Sequence, residues 1–184
     1  AHALSLTGED LTRSEFYDVV LQGRRVHLSP RATKRMAAAY RVIQAVVARP
    51  DPVYGVTTGF GKFADKRISP SDISRLQVNL LRSHAAGVGE PLTREETRGL
   101  LLLRANVLAR GYSGVRPRVV ESLLTLLNRD ILPVVPCRGS VGASGDLAPL
   151  AHLSLVLIGE GEAVVNGKRL AGRAALARAR LSPL

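Results

Sequence analysis

Between Leu147 and Gly159 the chain carries no acid, lysine or arginine. A helix that is apolar all round has no face to give to water, so it must be buried. The run falls short of the roughly 18 to 20 apolar residues of a membrane span. It therefore reads as a central helix around which the rest of the chain closes. The residues that lead into it are Gly139-Ser140-Val141-Gly142-Ala143-Ser144-Gly145-Asp146. Glycine lets main chain approach main chain closely, and the helix that follows points its positive end back at this turn.

Ser144 admits several readings. A nucleophile elbow is written Gly-x-Ser-x-Gly, and Gly142-Ala143-Ser144-Gly145-Asp146 misses that pattern by one residue. No strand-like run leads directly into it. A capping serine in a tight turn is a second reading. The third is autocatalytic. Attack of the Gly145 nitrogen on the Ala143 carbonyl closes a five-membered ring. Loss of water from that ring and from the Ser144 side chain leaves an exocyclic methylene, which is an electrophile. Ala143 and Gly145 are the least hindered flanks for this closure, and Asp146 stands ready to move protons.

The remaining pattern is mainly helical. Leu4–Leu6 and Arg25–Leu28 alternate like short strands and are expected to pair as a hairpin-like cap around a helix near Thr12 to Leu21. Ser29-Pro30 opens a helix with Met36, Tyr40, Ile43 and Val47 on one face, and Arg49-Pro50 stops it. Ser69-Pro70 opens another, with Ile73, Leu76 and Leu80 inward and His84 one turn further along the stripe. Thr93 and Glu96 form a capping box, beyond which Leu100, Leu103 and Val107 are expected to face inward. Pro117 starts a helix with Val120, Leu123, Leu124 and Leu127. Ile131–Pro136 reads as extended. Asn166-Gly167 between two short apolar runs is a type I′ hairpin signal, and Ala171–Arg180 reads as one more short helix. The fold class is mainly α: a helical domain over residues 1–184, with short N-terminal strands and a small C-terminal β-hairpin.

Composition narrows the function. The net charge of +11 could attract nucleic acid, but the basic residues are scattered and aromatics make up only 4%. There is little on which bases could stack, so no nucleic-acid partner is expected, and no membrane partner either. Cys137 is the sole cysteine. This excludes an internal disulfide and suits a reducing, cytoplasmic setting. His2 and His27 lack acidic or sulfur companions at ligand spacing, and His152 lies within the apolar run as a structural residue, so no metal site is expected.

Four blocks, in order, carry a resemblance: Tyr54–Ala64 (YGVTTGFGKFA), Leu76–Pro91 (LQVNLLRSHAAGVGEP), Arg104–Val115 (RANVLARGYSGV) and Gly139–Ala163 (GSVGASGDLAPLAHLSLVLIGEGEA). Together they resemble the histidine and phenylalanine ammonia-lyase family. Its electrophilic cofactor, 4-methylideneimidazol-5-one (MIO), forms from an Ala-Ser-Gly triplet, and the resemblance puts that triplet at Ala143-Ser144-Gly145. It further implies that Ser144 is catalytic through the ring, that Asp146 assists ring formation, that Tyr54 projects its hydroxyl for proton transfer or positioning, and that His84 contacts a substrate imidazole. The Ser83-His84 pair looks like the histidine-specific branch, since phenylalanine-specific relatives carry apolar residues there.

The implied reaction is non-oxidative deamination of L-histidine to trans-urocanate and ammonia. Removing ammonia means breaking a C–N bond and a weakly acidic β C–H bond. General acid–base catalysis, worth typically ~10² to 10⁴, falls short of such a barrier, which is why an electrophile is needed. Family members run several hundred residues longer and are homotetramers. Their missing part carries the central helices and further active-site groups: an asparagine, a tyrosine, an arginine and a carboxylate. The chain thus reads as an N-terminal portion with little activity alone. A phenylalanine or tyrosine ammonia-lyase segment, and a non-catalytic fragment that binds lyase subunits, are the alternatives.

Overall fold

The computed structural model describes residues 2–64 and 66–184. The chain begins with β1 (Leu4–Leu6), α1 (Arg13–Val20) and β2 (Val26–Leu28). The two strands pair in parallel, Leu4 with Val26 and Leu6 with Leu28, not as the expected hairpin. The cause is α1: a helix between two strands returns the chain to the same edge, so the second strand runs in the same direction as the first. Thr12 caps α1 and Glu15 answers it in a capping box.

Ser29 accepts the Ala32 amide hydrogen and Pro30 opens α2 (Pro30–Val47). The expected stripe is present, although only Met36 on it is fully buried. Next come a short 3-10 turn (Gly61–Phe63), α3 (Pro70–His84), β3 (Val88–Pro91), α4 (Arg94–Ala109) and α5 (Pro117–Asn128). Ile73, Leu76, Leu80 and His84 of α3 are each only half-buried. On α5, Val120, Leu123, Leu124 and Leu127 are buried as the periodicity predicts, joined by Leu126.

The structure corrects the facing of α4. Leu101, Leu102, Ala105, Leu108 and Ala109 are buried, whereas Leu103 and Val107 are about half exposed (48% and 51%). Four consecutive leucines, Leu100–Leu103, leave periodicity unable to choose a face. Two residues before them choose it. A Cβ on Gly99 would stand 3.2 Å from the Phe16 ring of α1, so glycine lets α1 lie close without that ring giving way. Arg98 is buried and hydrogen-bonds the carbonyls of Val19, Val20 and Leu127. Its guanidinium thereby satisfies carbonyls left open at the end of α1 and adds a second donor to the Leu127 carbonyl, which also accepts from the Asp130 amide.

The extended segment after α5 forms β4 (Leu132–Pro133) and β5 (Pro136–Arg138), and β5 pairs antiparallel with β3. The glycine-rich stretch folds into a minimal hairpin, β6 (Val141–Gly142) and β7 (Gly145–Asp146), which feeds α6 (Ala148–Leu157). α6 is the central helix expected from the charge-free run: Ala148, Ala151, Leu153, Val156 and Leu157 are buried. β8 (Glu162–Val165) and β9 (Lys168–Ala171) turn at Asn166 (φ 50°) and Gly167 (φ 75°), both positive as a type I′ turn requires. β4 joins the edge of β8, and α7 (Gly172–Arg178) closes over α6. Among the described residues no helix is long and apolar enough to cross a membrane.

Candidate active site

A cleft of ≈ 290 Å³ opens where the end of α3 meets the hairpin before α6. Ser83, His84 and Ala86 line it from one element, and Ser140, the Gly142–Gly145 turn and Leu147–Ala148 from the other. The structure thus brings His84, sixty residues upstream in the sequence, to the same cavity as Ala143, Ser144 and Gly145.

The turn has the backbone that its glycines permit. Gly142 pairs with Gly145, leaving Ala143 and Ser144 as the two turn residues. Gly145 has φ +80°, a value that a side chain there would make strained. No heavy atom lies within 4 Å of where a Cβ on Gly142 would be, so the turn has free space on that side. Ser144 is exposed, and its hydroxyl makes no hydrogen bond among the described residues.

Asp146, and not Ser144, serves the helix. Its Oδ1 accepts the Ala148 amide hydrogen at 3.0 Å, at the positive end of α6. The carboxylate occupies the volume that a side chain on Gly139 would fill: an ideal Cβ there falls on top of both its oxygens. Gly139 therefore holds open the seat of Asp146. The sequence signalled this only as one glycine among several.

His84 is held in one tautomer. Its Nδ1 lies 2.8 Å from the Leu80 carbonyl and 3.1 Å from Ser83 Oγ, and that hydroxyl donates to the same carbonyl at 3.0 Å. A carbonyl can only accept, so the neutral ring carries its proton on Nδ1 and keeps a lone pair on Nε2. Sequence reading picked out His84 but not this arrangement. The signal for it is the i, i−4 placement of Leu80 on one helix. A second histidine, His152 of α6, accepts the Gly87 amide hydrogen through Nε2 at 3.0 Å. Burial pushes its pKa below the ordinary histidine value, which favours the neutral, accepting form.

Tyr54 lies outside the lining of the cleft. It is 61% exposed, meets Phe60 edge to face at 5.8 Å between ring centres, and its hydroxyl receives the Gly61 amide hydrogen at 3.4 Å. Among the described residues no group of three or more His, Cys, Asp or Glu side chains is placed to hold a metal ion.

The model of the aromatic amino acid lyase family matches residues 11–184. The chain belongs to that family. Histidine ammonia-lyase from Gloeobacter violaceus is 54% identical over 181 residues, which are 98% of this chain and 35% of that protein. Among solved structures, histidine ammonia-lyase from Trypanosoma cruzi superposes with a TM-score of 0.89 at 38% identity, and the ergothioneine-degrading ergothionase from Treponema denticola with 0.94 at 33%. These two matches cover all of this chain and 35% and 37% of theirs. The chain thus spans about a third of the length of the relatives it matches.

Proposed function

We propose that the chain is the N-terminal portion, residues 1–184 as one unit, of a histidine ammonia-lyase that converts L-histidine to trans-urocanate and ammonia. The observation that carries the reading is the shared cleft: Ser144, at the tip of its turn, and His84, whose Nδ1 is taken up by the Leu80 carbonyl, line one cavity. The histidine ammonia-lyases among the relatives, at about half identity, support the same substrate.

The residues present suit MIO. The flanks of Ser144 are small, Gly145 takes a backbone conformation that other residues resist, and Gly142 leaves open space beside the turn. Ring closure joins the Gly145 nitrogen to the Ala143 carbonyl carbon and releases one water. A second water leaves with the Ser144 Oγ and its Cα hydrogen. Asp146, with one carboxylate oxygen outside the bond to Ala148, moves protons in these losses. The finished ring supplies an electrophile that makes the amine a better leaving group or the β proton more acidic.

The rest belongs to the chain. His84 Nε2 accepts the substrate's imidazole N–H and so fixes the ring that bears the reacting side chain. A phenyl ring has no such donor and would leave that lone pair unpaired, at a cost of about 1–3 kcal/mol. This separates histidine from phenylalanine by roughly 10- to 100-fold. Tyr54 acts as the proton-transfer or positioning hydroxyl. Its ring is exposed and lies outside the cleft lining, so this role requires the loop to move toward the cleft. The site is open: Val141 is 81% and Leu147 43% exposed beside the tripeptide. That openness supports a fuller site built with further chain and with other subunits of a homotetramer; the enzyme so assembled is proposed to work in the cytoplasm.

The test is incubation of a full-length polypeptide carrying this sequence with L-histidine, followed by urocanate absorbance. Sustained formation of urocanate is expected, with little or none from residues 1–184 alone. A full-length protein that folds and assembles yet leaves histidine intact would overturn the proposal.

A further inference from the structure

We infer that His152 is a positioning residue: by accepting the Gly87 amide hydrogen it ties the segment after His84 to α6, and so sets the place of the His84 ring relative to the Ser144 turn. The inference rests on the function proposed above and concerns a residue that does not line the cleft.

Its basis is the seat around Gly87. α3 ends at His84, and Ala85 still donates to the Leu81 carbonyl at 3.0 Å. Gly87 then enters a three-sided space. A Cβ there would stand 3.1 Å from His152 Nε2, 3.2 Å from Pro136 Cβ and 3.3 Å from the Arg138 carbonyl oxygen. Two of those walls belong to β5, whose next residue is Gly139, the start of the turn that holds Ser144. The third wall is a side chain on α6, the helix into which the same turn runs. The segment that follows His84 is thus clasped by the elements on both sides of the tripeptide.

The clasp adds to two other ties of α3, its packing on α6 and the pair between Arg82 and Glu160, and it is the one that holds the segment just past His84. The inward residues Ile73, Leu76 and Leu80 of α3 are only half-buried, and His84 sits at its last turn. β3 pairs with β5 at Val88 and Arg138, and again at Pro91 and Pro136, with an irregular register between. Without His152, Gly87 N–H becomes a half-buried donor without a partner, which a backbone resists by shifting toward water. His84 lies three residues away, and because its bond to the substrate ring is proposed to be made alike before and during bond breaking, its displacement raises KM more than it lowers kcat.

The experiment uses full-length enzyme carrying His152→Leu, His152→Gln and, from the opposite wall, Gly87→Ala. His152→Leu should raise KM for L-histidine by about tenfold, the weight of one lost hydrogen bond, with a smaller change in kcat. His152→Gln, whose side-chain oxygen can accept in place of Nε2, should restore KM to within about threefold. Gly87→Ala should raise KM as His152→Leu does. In a His84→Ala background the His152→Leu effect should disappear, because a positioning residue has nothing left to position. Hydrogen exchange at the Gly87 amide should quicken in His152→Leu and slow again in His152→Gln. The inference is overturned if KM is unchanged in His152→Leu, or if the loss is undiminished without His84. An enzyme that does not consume histidine refutes the proposed function instead, and the Gly87 exchange rates still decide whether His152 holds that segment.

Discussion

Replacing Gly139 by alanine tests the seat of Asp146. The added Cβ would overlap both carboxylate oxygens and stand 2.5 Å from Asp146 Cγ, so the carboxylate must swing away. Its bond to the Ala148 amide goes with it. A hydrogen bond to a charged group contributes about 1.5–3 kcal/mol, and a carboxylate at a helix N-terminus about 0.3–1 kcal/mol. Because one contact underlies both figures, and Asp146 is partly exposed, the loss is about 1–3 kcal/mol. For a chain of this size that lowers the unfolding midpoint by roughly 2–10 °C. Gly142→Ala is the control: three residues away, its Cβ meets no heavy atom within 4 Å, and the cost stays within about 0.5 kcal/mol. The assays are thermal unfolding and intact mass. Gly139→Ala should unfold earlier and keep the waters of residues 143–145, whereas Gly142→Ala should match the parent stability. Indistinguishable midpoints and masses in the two variants would refute the reasoning.

Arg98→Met leaves the Val19 and Val20 carbonyls without their donor, takes one of two donors from the Leu127 carbonyl and removes the 2.7 Å pair with Asp130. A buried acceptor left without its partner costs about 1–3 kcal/mol, which denaturant unfolding would register as a lower midpoint at unchanged slope. His84→Phe should lower kcat/KM for histidine by about 10- to 100-fold and shift preference toward phenylalanine, as competition between the two amino acids would show. Hydrogen bonds from the Thr93 backbone and side chain hold the Glu96 carboxyl below its ordinary pKa of 4.5. The folded value lies under the unfolded one, so this contribution is whole above about pH 4.5 and is lost as pH falls through the folded value. Glu96→Gln should therefore flatten the acid side of the stability curve, as thermal midpoints across pH 3–6 (roughly the carboxylate range) would reveal.

Much of the fold lay in local chemistry. Ser29-Pro30, Thr93 with Glu96, and Asn166-Gly167 each act within a few residues, and each forms the cap or turn that its residues dictate. Strand direction at β1 and β2 was not local, because Leu4–Leu6 alternates identically in a parallel or antiparallel pair. Nor was the buried face of α4, where unbroken leucines erase the period and the decision passes to Gly99 and Arg98. Of the site, the tripeptide and His84 stood out in the sequence. Their meeting in one cleft depends on the β3–β5 pairing and the packing of α3 on α6, contacts between segments far apart in the chain. The seat that Gly139 provides for Asp146, and the bond between His152 and Gly87, are likewise tertiary.

The central claim is that Ala143-Ser144-Gly145 becomes the electrophile on which the reaction depends. Peptide mass across these three residues, taken on full-length enzyme while it forms urocanate, tests it most directly. The account predicts a deficit of two waters, and in Ser144→Ala both the mass of that variant's linear peptide and no turnover. An intact tripeptide in enzyme that still releases ammonia from histidine would contradict it.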